Sequence, residues 1–399
     1  MDQSLPSPKL AGRAPAALTW LLPLVVLAAM IWAYLAVDPL HLAQPGLPPV
    51  EALSLQRIRV TRDGFVVDVV NSGPQPVTLA QVMVDDAYWT FQVDPAPTLP
   101  RLGRARVTVP YPWVRAEPST ITLVTSTGLT FSRTVDLAVE TPQPGLRQVV
   151  AYGLLGVYVG IIPVGLGMLW FPALRRLGRR GMGAPLSLTL GLLVFLLVDT
   201  ALEALEVAGE VPGVFQGVPL ALFAAVATWL AIVAVGRKGG GQVDNAAARW
   251  FLAGLIALGI GLHNLGEGLA IGAAFAQGSP ALGSFLVVGF TLHKITEGVG
   301  IVAPIVRERP SLLRMAGLVL LAGAPAILGA WIGGFSFSSL LATAFFGVGV
   351  GAIWQVIVEV FVLLRQQTRV AGEGPIRWEN LAGFFAGLLI MYLTAFLVK

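Results

Sequence analysis

Two histidine–glutamate pairs lie inside apolar stretches of this sequence, and in each pair the residues are four apart. The first lies in His263-Asn264-Leu265-Gly266-Glu267-Gly268-Leu269-Ala270-Ile271-Gly272. The second lies in His293-Lys294-Ile295-Thr296-Glu297-Gly298, with Pro304 further on. The chain has only 3 histidines, and two are here. On an α-helix, residues four apart share one face, so each His points the same way as its Glu. Ionisable side chains deep in an apolar span are costly and mark transport paths or metal sites. Imidazole and carboxylate together suit a divalent ion of the zinc, iron or manganese class. A calcium or magnesium cage would need more oxygen ligands. The sequence contains no cysteine, so a metal site must use His, Glu, Asp, Asn or Gln. For a single pair, an interhelical His–Glu hydrogen bond would be the plainer reading. Two matched pairs at one depth favour a metal.

That depth follows from the spans that carry the pairs. From residue 147 onward the sequence predicts eight apolar spans, at 149–172, 184–207, 214–236, 250–275, 281–305, 312–333, 338–364 and 379–398. His263 lies about 20 Å from one end of the fourth span, at 1.5 Å per helical residue. His293 lies about 18 Å from the opposite end of the fifth. Antiparallel neighbours joined by a short loop would bring all four side chains together near the midplane.

Composition agrees. Of 399 residues, 55% are hydrophobic and 12% charged, with mean hydropathy +0.77, which fits a polytopic membrane protein rather than a soluble one. The net charge of +4 does not point to nucleic acid, because the bases sit in short loops. Arg175, Arg176, Arg179 and Arg180 follow the first span, and Arg237, Lys238 and Arg249 the third. Arg307, Arg309 and Arg314 follow the fifth, and Arg365, Arg369 and Arg377 the seventh. The intervening short loops carry none. This alternation places the last residue, Lys399, outside and the amino terminus in the cytoplasm. Trp20, Trp170, Trp250 and Trp378, near span ends, read as interface anchors.

Residues 1–38 hold an apolar run, Ala16 to Val37, behind Lys9 and Arg13. Its length favours a membrane anchor over a cleaved signal segment. Residues 39–146 read differently. Short alternating runs at 57–60, 64–70, 77–84, 106–109 and 120–124, with turns at Asp63-Gly64 and Asn71-Ser72-Gly73-Pro74, predict a small extracytoplasmic β-sandwich of immunoglobulin-like type. Asp85, Asp86 and Asp94 read as solvated loop charges rather than a weak cation site. His41 is a lone linker histidine without a role, and whatever ligand this region binds is not encoded in a motif.

The motif residues carry a resemblance. His263 to Gly272 is similar to the pattern H-N-x-x-E-G-x-A-I-G in the fourth helix of the ZIP (zinc- and iron-regulated transporter-like) family. His293, Glu297, Gly298 and Pro304 resemble its fifth-helix pattern, H-x-x-P-E-G-x-x-x-x-x-P. The likeness covers about 250 residues and leaves out the first span and the β-region. It implies an eight-helix, two-part bundle that slides or rocks, passing divalent metal downhill into the cytoplasm. By the resemblance, His263, Glu267, His293 and Glu297 form the principal metal site and Asn264 belongs to a second one. The sequence departs from the family at that second site. Lys294 stands where an acid is common, and Ala326, in Gly323-Ala324-Pro325-Ala326-Ile327-Leu328-Gly329, where a glutamate is. An ammonium can replace a cation beside buried carboxylates, so Lys294 is expected to occupy the second site, paired with Glu297 or Glu267, leaving one metal at a time. Thr296 replaces the usual proline and should straighten the helix. Pro304 leaves the Gly300 carbonyl without its donor, either for a passing cation or as a packing kink. The loop from Arg237 to Arg249 carries no histidine, so metal sensing there is not expected.

Asp199 and Glu203, with Glu206 after them, read either as an outer funnel for cations or as an interfacial acidic cluster. Gln355 and Glu359 read either as an exit path or as a helix-packing hydrogen bond. The sequence therefore predicts an all-α polytopic transporter of the inner or plasma membrane, preceded by an anchor and a β-domain. Zn2+ or a similar divalent ion is its substrate, and it is not an enzyme and needs no organic cofactor. Its partners are metal ions and the lipid bilayer. Span glycines permit, without deciding, a homodimer. A membrane-embedded metal sensor or receptor and a zinc-dependent intramembrane hydrolase remain the alternatives. The hydrolase would use Glu267 or Glu297 as base, although no H-E-x-x-H occurs.

Overall fold

The computed structural model describes residues 16–37, 50–176, 183–239, 246–276, 280–370 and 377–396. His41, Arg179, Arg180, the loop at 240–245 and Lys399 lie outside the described residues, as do Lys9 and Arg13. The amino-terminal unit, residues 1–50, contains one helix, α1 (Ala16–Val37). It is apolar throughout, with Pro23 inside it.

The second unit, residues 51–399, is mostly helical, with a β-rich region first. Its strands are β1 (Leu53–Thr61), β2 (Gly64–Asn71), β3 (Val77–Val84), β4 (Ala87–Trp89), β5 (Gln92–Asp94), β6 (Thr98–Leu99), β7 (Arg104–Pro110), β8 (Ser119–Thr125) and β9 (Thr130–Val135). One sheet has the order β1-β2-β7-β5; the other runs β4-β3-β8-β9, with β6 beside β3. This is the strand order of the two sheets in immunoglobulin-type sandwiches. Phe65, Val67, Val107 and Val109 from the first sheet share one core with Val77, Val82, Ile121 and Leu123 from the second. Each such side chain contributes about 1.5–3 kcal/mol on burial. Gly64 takes a positive φ of 139° in the β1–β2 turn, where its backbone meets Val109 and Tyr111 and a Cβ would collide. Asp85 is a turn residue, with φ 50°; its carboxylate accepts from the Thr120 amide at 2.7 Å and the Tyr111 hydroxyl at 3.1 Å. It is exposed, as a solvated loop charge would be, and also tied into the fold by these bonds. On the outer face of the first sheet, the pairing register sets Arg57 opposite Asp68, Asp68 opposite Arg106, and Arg106 opposite Asp94. Charge alternates across all four strands.

Eight helices, each long and apolar enough to cross a membrane, follow among the described residues. They are α2 (Leu146–Arg176), α3 (Gly183–Gly209), α4 (Gly217–Gly239), α5 (Ala246–Ala276), α6 (Pro280–Val302), α7 (Leu312–Ser336), α8 (Ser339–Val370) and α9 (Trp378–Phe396). Length and composition make this a multi-pass membrane architecture. Two helices are interrupted. Pro163 follows a π-helical turn at Val157–Ile161 in α2, and α7 breaks between Gly323 and Pro325, since proline donates no backbone hydrogen bond.

Packing separates two sets of four. α5 lies along α7 and α2 along α6; α3 lies against α8 and α9, and α8 against α4. The sets meet chiefly where α5 crosses α8. Small residues permit the closest approach. Gly268 of α5 faces the Ala326 carbonyl of α7, and Gly329 of α7 faces the Leu265 carbonyl of α5. The β-rich region meets the bundle at Arg57, whose Nη1 donates to the Phe335 carbonyl in the last turn of α7 at 3.0 Å. A cation there also complements the helix dipole. Between them runs a cleft lined by Arg57, Asp68, Asp94, Arg104 and Arg106 on one side and by Pro212, Phe215 and Ser336–Ser338 on the other.

Candidate metal centre

α5 and α6 position the centre. α5 is 31 residues long and unbroken, so His263 and Glu267 stand one turn apart on the same face. α6 is continuous through Thr296, whose hydroxyl donates to the His293 carbonyl within the same turn, so no kink occurs where the proline pattern is missing. The two helices pack side by side. Ligand atoms of His263, Glu267 and His293 all lie within 4.8 Å of one another. Glu267 Oε1 is the meeting point, 3.0 Å from His263 Nε2 and 2.8 Å from His293 Nε2. All three residues are buried, Glu267 to 1% exposure. Two neutral imidazoles and a carboxylate around one point can hold a divalent transition-metal ion.

Lys294 is wholly buried, and its Nζ forms an ion pair with the other oxygen of Glu267, Oε2. The same ammonium stands 5.4 Å from the centre of the Phe290 ring, a cation–π contact. Of the two carboxylates the sequence offers this lysine, the structure pairs it with Glu267. Glu297 is buried to 4% exposure, and neither of its oxygens has a hydrogen-bond partner among the described residues. His293 Nε2 is 3.9 Å from Glu297 Oε1, beyond hydrogen-bond reach. Glu297 thus stands beside the three-residue centre but is not part of it.

Asn264 is fully buried and faces α7. Its amide nitrogen donates to the Ala322 carbonyl, next to the helix break, at 2.9 Å, while its Oδ1 has no hydrogen-bond partner among the described residues. Ala326 is buried against Gly268. Pro304 lies buried in the 3₁₀ turn Ala303–Ile305 that ends α6.

Thr200 is a contributor that sequence reading missed. Its hydroxyl lies 3.3 Å from His263 Nδ1. A hydroxyl both donates and accepts, so Thr200 serves either tautomer. It can donate to Nδ1 while Nε2–H donates to Glu267, or accept from Nδ1–H while the Nε2 lone pair holds a metal. The available signal was its position, a buried hydroxyl in an apolar span beside Asp199. Asp199 and Glu203 lie half-buried on the same helix, and Glu206 is exposed. Gln355 and Glu359 face α4. Trp229 Nε1 donates to Gln355 Oε1 at 3.1 Å, and Gln355 Nε2 donates to Glu359 Oε1 at 2.8 Å. Glu359 therefore has the partner its burial calls for, which is the packing arrangement the sequence allowed. Other α8 residues meet α5: Ala352 and Val356 at Gly259, Gly349 at His263, and Phe346 at Gly266.

Apolar clusters close the centre on both sides. Leu269, Ala204, Ala342 and Phe346, with Phe337 packed on them, lie toward the β-rich region. Ile256, Ile260, Ile353 and Val356 lie toward the other end. No protein-family model matches the chain, and no curated protein does.

Proposed function

We propose that this protein carries divalent transition-metal ions across a membrane toward the cytoplasm, binding one ion at a time at His263, Glu267 and His293. The observation that carries the reading is the convergence of two imidazoles on one buried carboxylate oxygen, from two helices each apolar enough to span a bilayer. Such a group in such a place is costly unless a cation uses it. Glu267 supplies negative charge, the imidazoles supply nitrogen, and the surrounding apolar clusters exclude water, which strengthens each metal bond. Zinc is the first candidate among ions of its class.

The ZIP-like motifs support the same reading. Movement would be a shift of α2, α5, α6 and α7 against α3, α4, α8 and α9. Asp199 and Glu203 would gather cations on the β-domain side. The basic loops argue for an inner or plasma membrane with the β-domain outside. Lys294 replaces a second metal.

Flux into proteoliposomes of zinc, manganese, cadmium and ferrous ions tests the proposal. Uptake should occur and vanish in His263→Ala and Glu267→Ala. A protein that binds zinc but passes none would instead be a sensor. The ion pair between Lys294 and Glu267 is the observation that favours this second reading, because the ammonium already sits on the central carboxylate.

A further inference from the structure

We infer that Lys294 is a tethered cation with two stations: it neutralises Glu267 while the centre is empty and crosses to Glu297 when a metal arrives, so Glu297 receives the ammonium and is not a metal ligand. The inference rests on the reading that metal binds at His263, Glu267 and His293.

Three observations carry it. First, Lys294 is wholly buried and paired with Glu267 Oε2, while both imidazoles face Oε1 of the same carboxylate. A divalent ion entering between the imidazoles puts a second positive charge on a carboxylate that already holds one. In a low-dielectric interior those like charges repel strongly, so the ammonium must leave. Second, it has somewhere to go. Glu297 is the third residue beyond Lys294 on α6, so the two side chains share a face. A lysine stem pivots between such stations without moving the backbone. Third, the second station is vacant. Both Glu297 oxygens are buried without a hydrogen-bond partner among the described residues. A buried carboxylate in that condition is costly and is relieved by an arriving cation. Glu297 and His293 line a narrow cavity together with Ile260 of α5, Thr189, Leu193 and Leu196 of α3 and Met391 of α9, so there is space beside the carboxylate. The proton count does not change in this exchange. One cation displaces another from Glu267, and the displaced one settles on a carboxylate of its own helix.

A double-mutant cycle on the purified full chain separates this from direct ligation by Glu297. Zinc affinity is measured for the unaltered protein, Glu297→Gln, Lys294→Met and the double variant. If Glu297 receives the ammonium, Glu297→Gln weakens zinc about tenfold or more while Lys294 is present. In the Lys294→Met background the same change costs less than about twofold, since no ammonium needs a station. If Glu297 ligates the metal, the loss is as large or larger in the Lys294→Met background, and the inference is overturned. Zinc bound by none of the four proteins overturns the metal reading itself and this inference with it. A mutation-free check covers the case in which a variant fails to fold. A crystal structure of the unaltered protein loaded with zinc should show the Lys294 ammonium hydrogen-bonded to Glu297. A zinc–oxygen bond of about 2.0–2.2 Å to Glu297 would overturn the inference.

Discussion

His293 reaches across from α6 to set its Nε2 2.8 Å from Oε1 of Glu267 on α5. This contact turns two separate His–Glu pairs into one centre, and it makes Glu267 the residue on which the centre depends. His263 lies on its own helix beside it, and Lys294 takes its second oxygen.

Removing that carboxylate should harm stability as well as function. Glu267→Gln leaves the Lys294 ammonium only Glu297 as a partner, and Glu267→Gln combined with Glu297→Gln leaves it buried without one, a change that typically costs about 3–5 kcal/mol. We expect a clear fall in thermal stability in detergent. Adding Lys294→Met should restore most of it without restoring zinc uptake. A protein carrying both Glu267→Gln and Glu297→Gln that is as stable as the parent would show that the buried ammonium needs no carboxylate partner.

Thr200 is expected to matter for metal and little for folding. Thr200→Val keeps the side-chain shape and removes the hydroxyl that orients His263. Loss of such an orienting partner typically costs 10–100-fold in metal affinity. Zinc titration should find a loss in that range, with the melting temperature nearly unchanged. Equal affinity in both proteins would mean that the imidazole orients itself through Glu267 alone.

The α5–α7 contact should tolerate no added side chain. At Gly268 a Cβ would run into the Ala326 carbonyl, which is backbone and cannot turn aside. Gly268→Leu should therefore abolish or strongly reduce folded protein on gel filtration. Gly317→Leu on α7, where a Cβ meets nothing within 4 Å, should behave like the parent.

Arg57→Ala should loosen the seat of the β-rich region. The guanidinium donates to the Phe335 carbonyl at the end of α7 and helps to complement that helix dipole. A contact of this kind is worth about 0.3–1 kcal/mol. Global stability should barely move, while hydrogen exchange should quicken at residues 333–337. Unchanged exchange there would mean that the contact does not hold the two parts together.

The outline of this molecule was legible because apolarity is additive along a chain. Every one of the eight spans read from hydropathy corresponds to a helix in the structure, within a few residues. The His–Glu pairs were legible for a related reason: a four-residue spacing fixes a shared face. What spacing alone could not settle was the partner across a helix boundary. Sequence left Lys294 two carboxylates, and only packing chose Glu267. Glu359 takes its hydrogen bond from Gln355 four residues earlier on its own helix, a pair that spacing shows, whereas the Trp229 contact that fixes Gln355 comes from a separate helix and spacing does not show it. Thr200 had no motif to announce it. The strong strands were visible from alternation, whereas β4, β5 and β6 are two or three residues long and too short to show a period. β9 was missed because its alternation passes through polar residues in Thr130–Val135.

The row formed by Arg57, Asp68, Arg106 and Asp94 has a consequence for anything that drifts into the cleft beneath it. Each positive group in the row faces a negative one on the next strand, so their fields largely cancel within a few ångströms. Arg104 lines the same wall, so three arginines stand against two aspartates and the ceiling keeps a small positive excess. A doubly charged cation passing under it would not be captured there, and the work of choosing among solutes is left to chemistry deeper in the molecule.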